Sequence, residues 1–255
     1  MTATRVSQIT GSATLQLLGW WELRVADQSI AIGRREQRLV ALLALLGRRP
    51  RAQLAGILWP DTTDARAMAS LRAAVWQVRR AADGLLASNG STLALAGEVT
   101  VDVAELASFA GLASGSPGTL EFEETMRVLQ TGELLPGWYE DWVLFERERI
   151  QHMRLRALES LALTNLQAGS PHRALVAART ASGIEPLHEG AQLLLVRACL
   201  ECGNVPEAVR HYQSYRAQLQ RDLGVQPSQQ LTDQVRPFLM PHQRSATVAN
   251  HRGRR

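Results

Sequence analysis

The sequence of 255 residues contains no lysine, and its only cysteines are Cys199 and Cys202. A structural zinc site needs four ligands, and no second Cys or His pair lies at a spacing that matches this C-x-x-C. The two thiols lie in an apolar helical stretch, where small side chains of this kind pack well in a core. We therefore expect neither a metal ion nor a cofactor.

Long apolar runs are also missing. The longest uninterrupted run, Leu39–Leu46, has eight residues, well short of the ~20 that a membrane-spanning helix needs. Residues 1–16 are polar and do not contain the apolar core of a signal peptide, so we expect a cytoplasmic protein. Because 45% of the residues are apolar and 20% are charged, the composition is typical of a folded globular chain.

All of the positive charge comes from arginine, and it is unevenly distributed. Residues 1–100 contain 12 arginines and 7 acidic residues, whereas residues 101–240 contain 12 arginines and 17 acidic residues. The last residues, 241–255, contain 4 arginines and no acid. A basic first part followed by an acidic second part indicates that only the first part meets a polyanion such as DNA.

The order of predicted elements in the first part indicates a winged helix. Alternating apolar and polar residues predict a small antiparallel sheet, with strands at Leu15–Leu18, Glu22–Val25 and Ser29–Ile32. Apolar residues at the helical period then predict three helices, at Leu39–Leu46, Gln53–Leu58 and Ala65–Ala82. Asn89-Gly90 predicts a hairpin between Leu85–Ala87 and Leu93–Leu95. This order is typical of an α+β winged helix with an N-terminal sheet.

The second part reads as helical throughout and contains a repeat. One more helix, Asp102–Ala113, precedes the helix-breaking residues 114–118. Ala168-Gly169 recurs 34 residues later as Cys202-Gly203, and each is followed by a small residue, Ala174 or Ala208. This period is that of tetratricopeptide helical hairpins. The predicted parts are a flexible N-terminus at 1–12, a winged-helix DNA-binding domain at 13–113, a linker at 114–118, an all-α tetratricopeptide-like domain at 119–240 and a disordered basic tail at 241–255.

The third predicted helix carries the candidate DNA contacts. Its core face holds Leu71, Val75, Val78 and Ala82. Its opposite face and flanks hold Arg66, Ala69, Ser70, Arg72, Ala73, Trp76, Gln77, Arg79 and Arg80. Small residues at the centre of this face let the helix approach base edges, and arginine can bind guanine or phosphate. A merely solvated face is the alternative, but the position of the helix in a basic winged helix favours DNA contact.

Arginines outside the third helix are further candidates for DNA contact. Arginines precede or open the first two helices and suit phosphate oxygens, although they can equally be solvated charges; they are Arg34, Arg35, Arg38, Arg48, Arg49 and Arg51. The hairpin tip, residues 88–92, has no basic residue, which leaves wing contacts open. Trp76 can stack on DNA or pack against the second domain, and we favour burial because large exposed aromatics usually find a partner surface.

Several stretches resemble the Streptomyces antibiotic regulatory protein family. In the first part they are Arg35–Leu45, Leu58–Asp61 and Ser70–Arg80. In the second part they resemble the bacterial transcriptional activation domain of that family, and they are Leu134–Trp142, Glu146–Arg149, Tyr212–Leu219 and Asp222–Ser228. The resemblance covers roughly residues 13–240.

The resemblance implies an OmpR-like winged helix and a tetratricopeptide-like activation domain. It implies binding to tandem direct repeats near a promoter, a homodimer on DNA, recruitment of RNA polymerase and activation of an antibiotic biosynthetic gene cluster. It also implies that the residues that contact DNA are Ser70, Arg72, Trp76, Gln77, Arg79 and Arg80. The wing departs from the family, since residues 91–95 lack the usual Gly-Tyr and basic residue.

Two other classes of function are alternatives to DNA binding. The wing without arginine and the acidic second part are compatible with a helical-repeat adaptor whose winged helix no longer binds DNA. An enzyme is disfavoured because none of the six histidines lies at a spacing typical of a metal pair, a catalytic triad or a nucleophile elbow.

Overall fold

The computed structural model describes residues 12–112 and 119–239. The chain divides into two compact units, residues 1–157 and 158–255. The predicted flexible N-terminus up to residue 11, the predicted linker at 114–118 and the predicted tail at 241–255 lie outside the described residues. The predicted domain boundary therefore stays a prediction. No helix in the described ranges is long and apolar enough to cross a membrane.

The N-terminal sheet has four strands and is mixed rather than purely antiparallel. Strands β1 (Ala13–Gln16), β2 (Glu22–Val25) and β3 (Gln28–Ser29) form the antiparallel part. Strand β7 (Val99–Val101) adds to β1 in parallel. The prediction of a wholly antiparallel sheet, with its last strand at 29–32, was wrong in this respect. Three residues give too little alternation to reveal β7, and its partner lies more than 80 residues earlier in the chain.

The next elements form the winged helix, as predicted. The helices are α1 (Arg34–Leu46), α2 (Arg51–Leu58) and α3 (Asp64–Ala81). Strands β4 (Arg49–Pro50), β5 (Leu86–Asn89) and β6 (Thr92–Leu95) form a second sheet in the order β4-β6-β5. Gly90 adopts a left-handed conformation with φ of 57° in the hairpin turn between β5 and β6. Leu39, Leu42, Leu54 and Leu71 are fully buried and provide the core that fixes α3.

The unit of residues 1–157 also holds the first helices of the second part of the chain. They are α4 (Asp102–Leu112), α5 (Thr119–Leu129) and the first half of α6 (Asp141–Gln167). The loop before α6 hydrogen-bonds to the backbone that follows β1: Leu135 N–H donates to Leu17 O and Gly19 N–H donates to Glu133 O, both at 2.8 Å. Gly132 lies so close that an added Cβ would be 2.7 Å from Gly19 Cα. This loop is therefore attached to the N-terminal sheet by close backbone contacts.

The unit of residues 158–255 consists, where it is described, of helices. The second half of α6 is followed by α7 (Pro171–Ile184), α8 (Glu189–Glu201), α9 (Val205–Leu223) and α10 (Gln229–Leu239). The turns at Gly169 and Gly203 are alike, with φ of 67° and 75°. In each turn the next residue, Ser170 or Asn204, donates its N–H to the carbonyl five residues back. The tetratricopeptide-like hairpins predicted from the 34-residue recurrence are confirmed.

Candidate nucleic-acid interface

Helix α3 exposes the arginine-bearing face that is predicted from the sequence to contact DNA. Its buried residues are Ala67, Leu71, Ala74, Val75 and Val78. Thr63 precedes it in an extended conformation, and Asp64 in its first turn places negative charge at the positive end of the helix dipole. The helix ends at Ala81, and the next residue, Ala82, is no longer in the helical conformation. One apolar stripe thus anchors α3 in the winged-helix core and turns the remaining surface to solvent.

The exposed surface of α3 is strongly basic. Its exposed residues include the predicted DNA contacts Arg66, Arg72, Trp76, Gln77, Arg79 and Arg80, and Ser70 is half-buried. Within the described ranges, none of these four guanidiniums forms an ion pair with a carboxylate. The arginines are therefore available to an external anion.

Trp76 is 57% exposed, so the expectation that it is buried was wrong. The Cζ of Arg80, one helical turn further on, lies 5.5 Å from the centre of the Trp76 ring. A guanidinium at this distance from an indole is attracted by its π-electrons. Trp76 therefore holds the Arg80 side chain against the outer surface of α3 instead of packing into a core.

The wing receives positive charge from a neighbouring segment. Residues 88–92 of the hairpin contain no basic residue, but β4 pairs with β6 and brings three arginines beside the hairpin. Arg51 donates from Nη2 to the Ser88 hydroxyl at 3.1 Å, and Arg48 donates from Nη1 to the Thr92 hydroxyl at 3.4 Å. The arginines that sequence reasoning assigned only to the start of the second helix therefore also serve the wing.

The positive charge of Arg79 acts on Arg51, although the two arginines come from different helices. The pKa of Arg51 is lowered first by partial burial and then by the positive charge of Arg79. The guanidinium remains charged at neutral pH, because an ordinary arginine titrates far above that range. Neither arginine pairs with a carboxylate in the described ranges, and two like charges of this kind form a suitable environment for a phosphate group.

The arginines at the start of α1 have different surroundings. Arg34 Cζ lies 3.6 Å from the centre of the Trp138 ring, and Arg34 Nη2 lies 3.5 Å from Glu140 Oε1. Arg38 Nε lies 3.1 Å from the same carboxylate oxygen, and Arg38 Nη2 donates to Leu58 O. Arg35 is exposed. The charge of Arg34, predicted to contact DNA, is thus partly neutralised by Glu140, and no local spacing could have revealed a partner more than 100 residues away.

Comparison with known proteins gives three similarities. Residues 123–236 match the family described as the bacterial transcriptional activator domain. The chain is 30% identical over 212 residues to the regulatory protein AfsR of Streptomyces coelicolor, covering 78% of this chain and 21% of that protein. Its fold is similar to that of Mycobacterium tuberculosis EmbR, solved in complex with a low-affinity phosphopeptide. The TM-score is 0.67 at 19% identity, covering 89% of this chain and 65% of that one. The chain therefore spans less than two thirds of either relative.

Proposed function

We propose that the chain is a transcriptional activator of the kind found in the Streptomyces antibiotic regulatory protein family, and that it binds specific promoter DNA through α3. The similarity to the bacterial transcriptional activator domain and to AfsR supports this proposal. The observation that carries the proposal is the exposed face of α3, where four arginines without ion-pair partners in the described ranges surround alanines. An arginine-rich helix with a small-residue centre fits the width and the negative potential of the major groove.

We assign different tasks to the two ends of this surface. In helix-turn-helix proteins, the N-terminal residues of the recognition helix contact base edges. Arg66 and Arg72, in the first half of α3, are accordingly the candidates for base recognition. Arg51 and Arg79 are the candidates for phosphate contact, because their coupled positive charges suit an anion of fixed position.

The wing has a supporting role in this scheme. Arg48 and Arg51 hydrogen-bond its hydroxyls, so the positive charge near the hairpin comes from β4 and the start of α2. Phosphate contact at the wing then needs no arginine in residues 88–92. Arg34, which lies over Trp138, contributes at most through its long-range charge.

The finer functional assignments rest on the resemblance to this family. We propose that two protomers bind tandem direct repeats, which place them on one face of the duplex when spaced by a multiple of ~10.5 bp. We further propose that the helical second part recruits RNA polymerase and that the regulated genes form an antibiotic biosynthetic cluster. The acidic character of residues 101–240 supports a protein partner rather than DNA for that part.

Fluorescence anisotropy with promoter fragments from the neighbourhood of the gene tests DNA binding by α3. Arg72→Ala should weaken specific binding by about 1–3 kcal/mol and reduce the discrimination between sequences if Arg72 reads a base. Arg79→Ala should weaken binding to all sequences alike and reduce the slope of log K against log salt by about one unit. Arg210→Ala is the matched control, because Arg210 is an exposed helical arginine in the other compact unit.

The same measurement addresses the alternative of an adaptor that does not bind DNA. The hairpin tip without a basic residue favours this alternative. An adaptor would show no salt-sensitive binding to any promoter fragment, and the α3 variants would behave like Arg210→Ala. A salt-dependent affinity that falls in Arg72→Ala and Arg79→Ala but not in Arg210→Ala would exclude it.

A further inference from the structure

The helical unit brings sulfur, nitrogen and oxygen ligands together where α8 faces α9. Ligand atoms of Cys199, Glu207 and His211 all lie within 4.8 Å of one another. Cys199 is on the last turn of α8, while Glu207 and His211 are one turn apart on α9. The sequence alone predicts no metal site, because no local pair of ligands has a suitable spacing. The helical hairpin creates this cluster from residues whose spacing resembles no known motif.

The distances in the cluster are close to those of a metal site. In a tetrahedral zinc site, bonds of about 2.0–2.3 Å place neighbouring ligand atoms about 3.5 Å apart. Glu207 Oε1 and His211 Nε2 are already 3.5 Å apart. The remaining separations, at most 4.8 Å, need a movement of about 1 Å, which a side-chain rotation can supply.

The ligand types in the cluster indicate which metal it would take. Cys202 at the C-cap of α8 is not one of the three grouped ligands, and its Sγ lies 3.6 Å from Nδ1 of His172 at the start of α7. Thiolate and imidazole ligands together favour zinc or a similar transition metal over magnesium or calcium.

The carboxylate of Glu207 already contacts Arg179 and Asn204, and a metal ion would have to compete with the first of these. Arg179 Nη2 lies 2.5 Å from Glu207 Oε1, and Asn204 donates to Oε2, so the carboxylate is held in place. Metal-ligating carboxylates are commonly oriented by such outer hydrogen bonds. The positive charge of Arg179 repels a cation, however, and burial raises the pKa of the Cys199 thiol to about 11. A metal ion therefore has to displace a proton and shift the Arg179 contact.

Access from solvent is available on one side. Cys199 is fully buried, whereas the side chains of Glu207 and His211 are 21% and 33% exposed. We propose that Cys199, Glu207 and His211 bind a zinc-like divalent ion that fastens α8 to α9. The proposal concerns the helical unit and is independent of DNA binding by α3.

Co²⁺ titration of the reduced, chelator-treated full chain tests the site. A Co²⁺–thiolate bond produces a charge-transfer absorption in the near ultraviolet, which surface carboxylates and histidines do not produce. We expect this band to saturate at about one Co²⁺ per chain and to be displaced by Zn²⁺. Zn²⁺ should also raise the melting temperature, since binding to the folded state stabilises it.

Variants separate the site from adventitious binding. Cys199→Ala should abolish the band, and His211→Ala should weaken Co²⁺ binding by more than about 10-fold. His152→Ala is the control, because His152 is an exposed histidine on α6 outside the cluster. Far-ultraviolet circular dichroism checks that the variants fold, and partly exposed His211 makes unfolding of that variant unexpected. The proposal is overturned if the wild type shows no thiolate band, if Cys199→Ala retains it, or if His152→Ala weakens binding as much as His211→Ala.

Discussion

Arg147 provides the most direct test of how the loop before α6 is held. Its Nε donates to Leu134 O at 3.1 Å, and its Nη2 donates to the carbonyls of Leu135 and Trp138, both at 3.0 Å. The same side chain is only 13% exposed and pairs with Glu133 at 2.8 Å. This guanidinium therefore fixes the carbonyls of the loop that hydrogen-bonds to the backbone after β1.

Replacing Arg147 by alanine should cost about 3 kcal/mol of unfolding free energy. Hydrogen bonds to charged groups contribute roughly 1.5 kcal/mol or more each, so three give about 4.5 kcal/mol, and partial rehydration of the loop carbonyls reduces the loss. Arg147→Lys should recover little of it, because an ammonium cannot reproduce the planar fork. The assay is urea unfolding followed by circular dichroism and by the fluorescence of Trp138 and of Trp21, which stacks on Trp138 with the ring centres 6.0 Å apart.

Arg156→Ala is the matched control nine residues further along α6. Arg156 is exposed and forms no ion pair within the described ranges, so its loss should cost less than about 1 kcal/mol. If Arg147→Ala and Arg156→Ala destabilised the protein equally, or if Arg147→Ala changed stability by less than about 0.5 kcal/mol, the assignment of the loop contacts to Arg147 would be refuted.

Three further predictions concern other parts of the unit of residues 1–157. Gly132→Ala should lower the free energy of unfolding by about 1–3 kcal/mol, because the added Cβ would lie 2.7 Å from the backbone of Gly19. Gly97→Ala is the control, because an added Cβ there would have nothing within 4 Å. Chemical denaturation of the two variants measures the difference. Burial raises the pKa of Asp102 above 3.8, so ionisation opposes folding, and the wild type should lose stability relative to Asp102→Asn as pH rises through and above that value. A pH series of urea midpoints that runs parallel for both proteins would contradict this. Trp76→Ala should leave stability within about 1 kcal/mol, because the ring is 57% exposed, yet weaken promoter binding in anisotropy assays; an unchanged affinity would remove Trp76 from the interface.

The elements that sequence reasoning found are those whose signals are local. Helix α3 was predicted at Ala65–Ala82 and lies at Asp64–Ala81, because its apolar stripe repeats for five turns. The hairpin was predicted from Asn89-Gly90, and the left-handed φ of Gly90 confirms why that dipeptide occurs there. In both cases the residues that determine the conformation are neighbours in the chain.

The features that sequence reasoning missed depend on partners far away in the chain. Strand β7 forms only by pairing with β1, and the charge of Arg34 is partly neutralised only by Glu140. The ligand cluster around Cys199 forms only when α9 packs against α8. Each feature forms only after the fold has brought distant segments together. Each segment alone is too short for its sequence to indicate which segment it will contact. The prediction that Trp76 is buried was wrong for a different reason. Tryptophan is generally buried, but Trp76 lies on the exposed face of α3.

The charge pattern of α3 separates it from the other helices more sharply than its arginine content does. On other helices four arginines pair with an acidic residue three or four positions away, in Arg127–Glu124, Arg149–Glu146, Arg197–Glu201 and Arg236–Asp233. Helix α3 has four arginines, and its one acidic residue is Asp64 in the first turn. Asp83, beyond its end, accepts a hydrogen bond from the backbone N–H of Gly84. An uncompensated face of this kind gains nothing for folding, because its charges repel one another, so its physical advantage lies in attracting a polyanion.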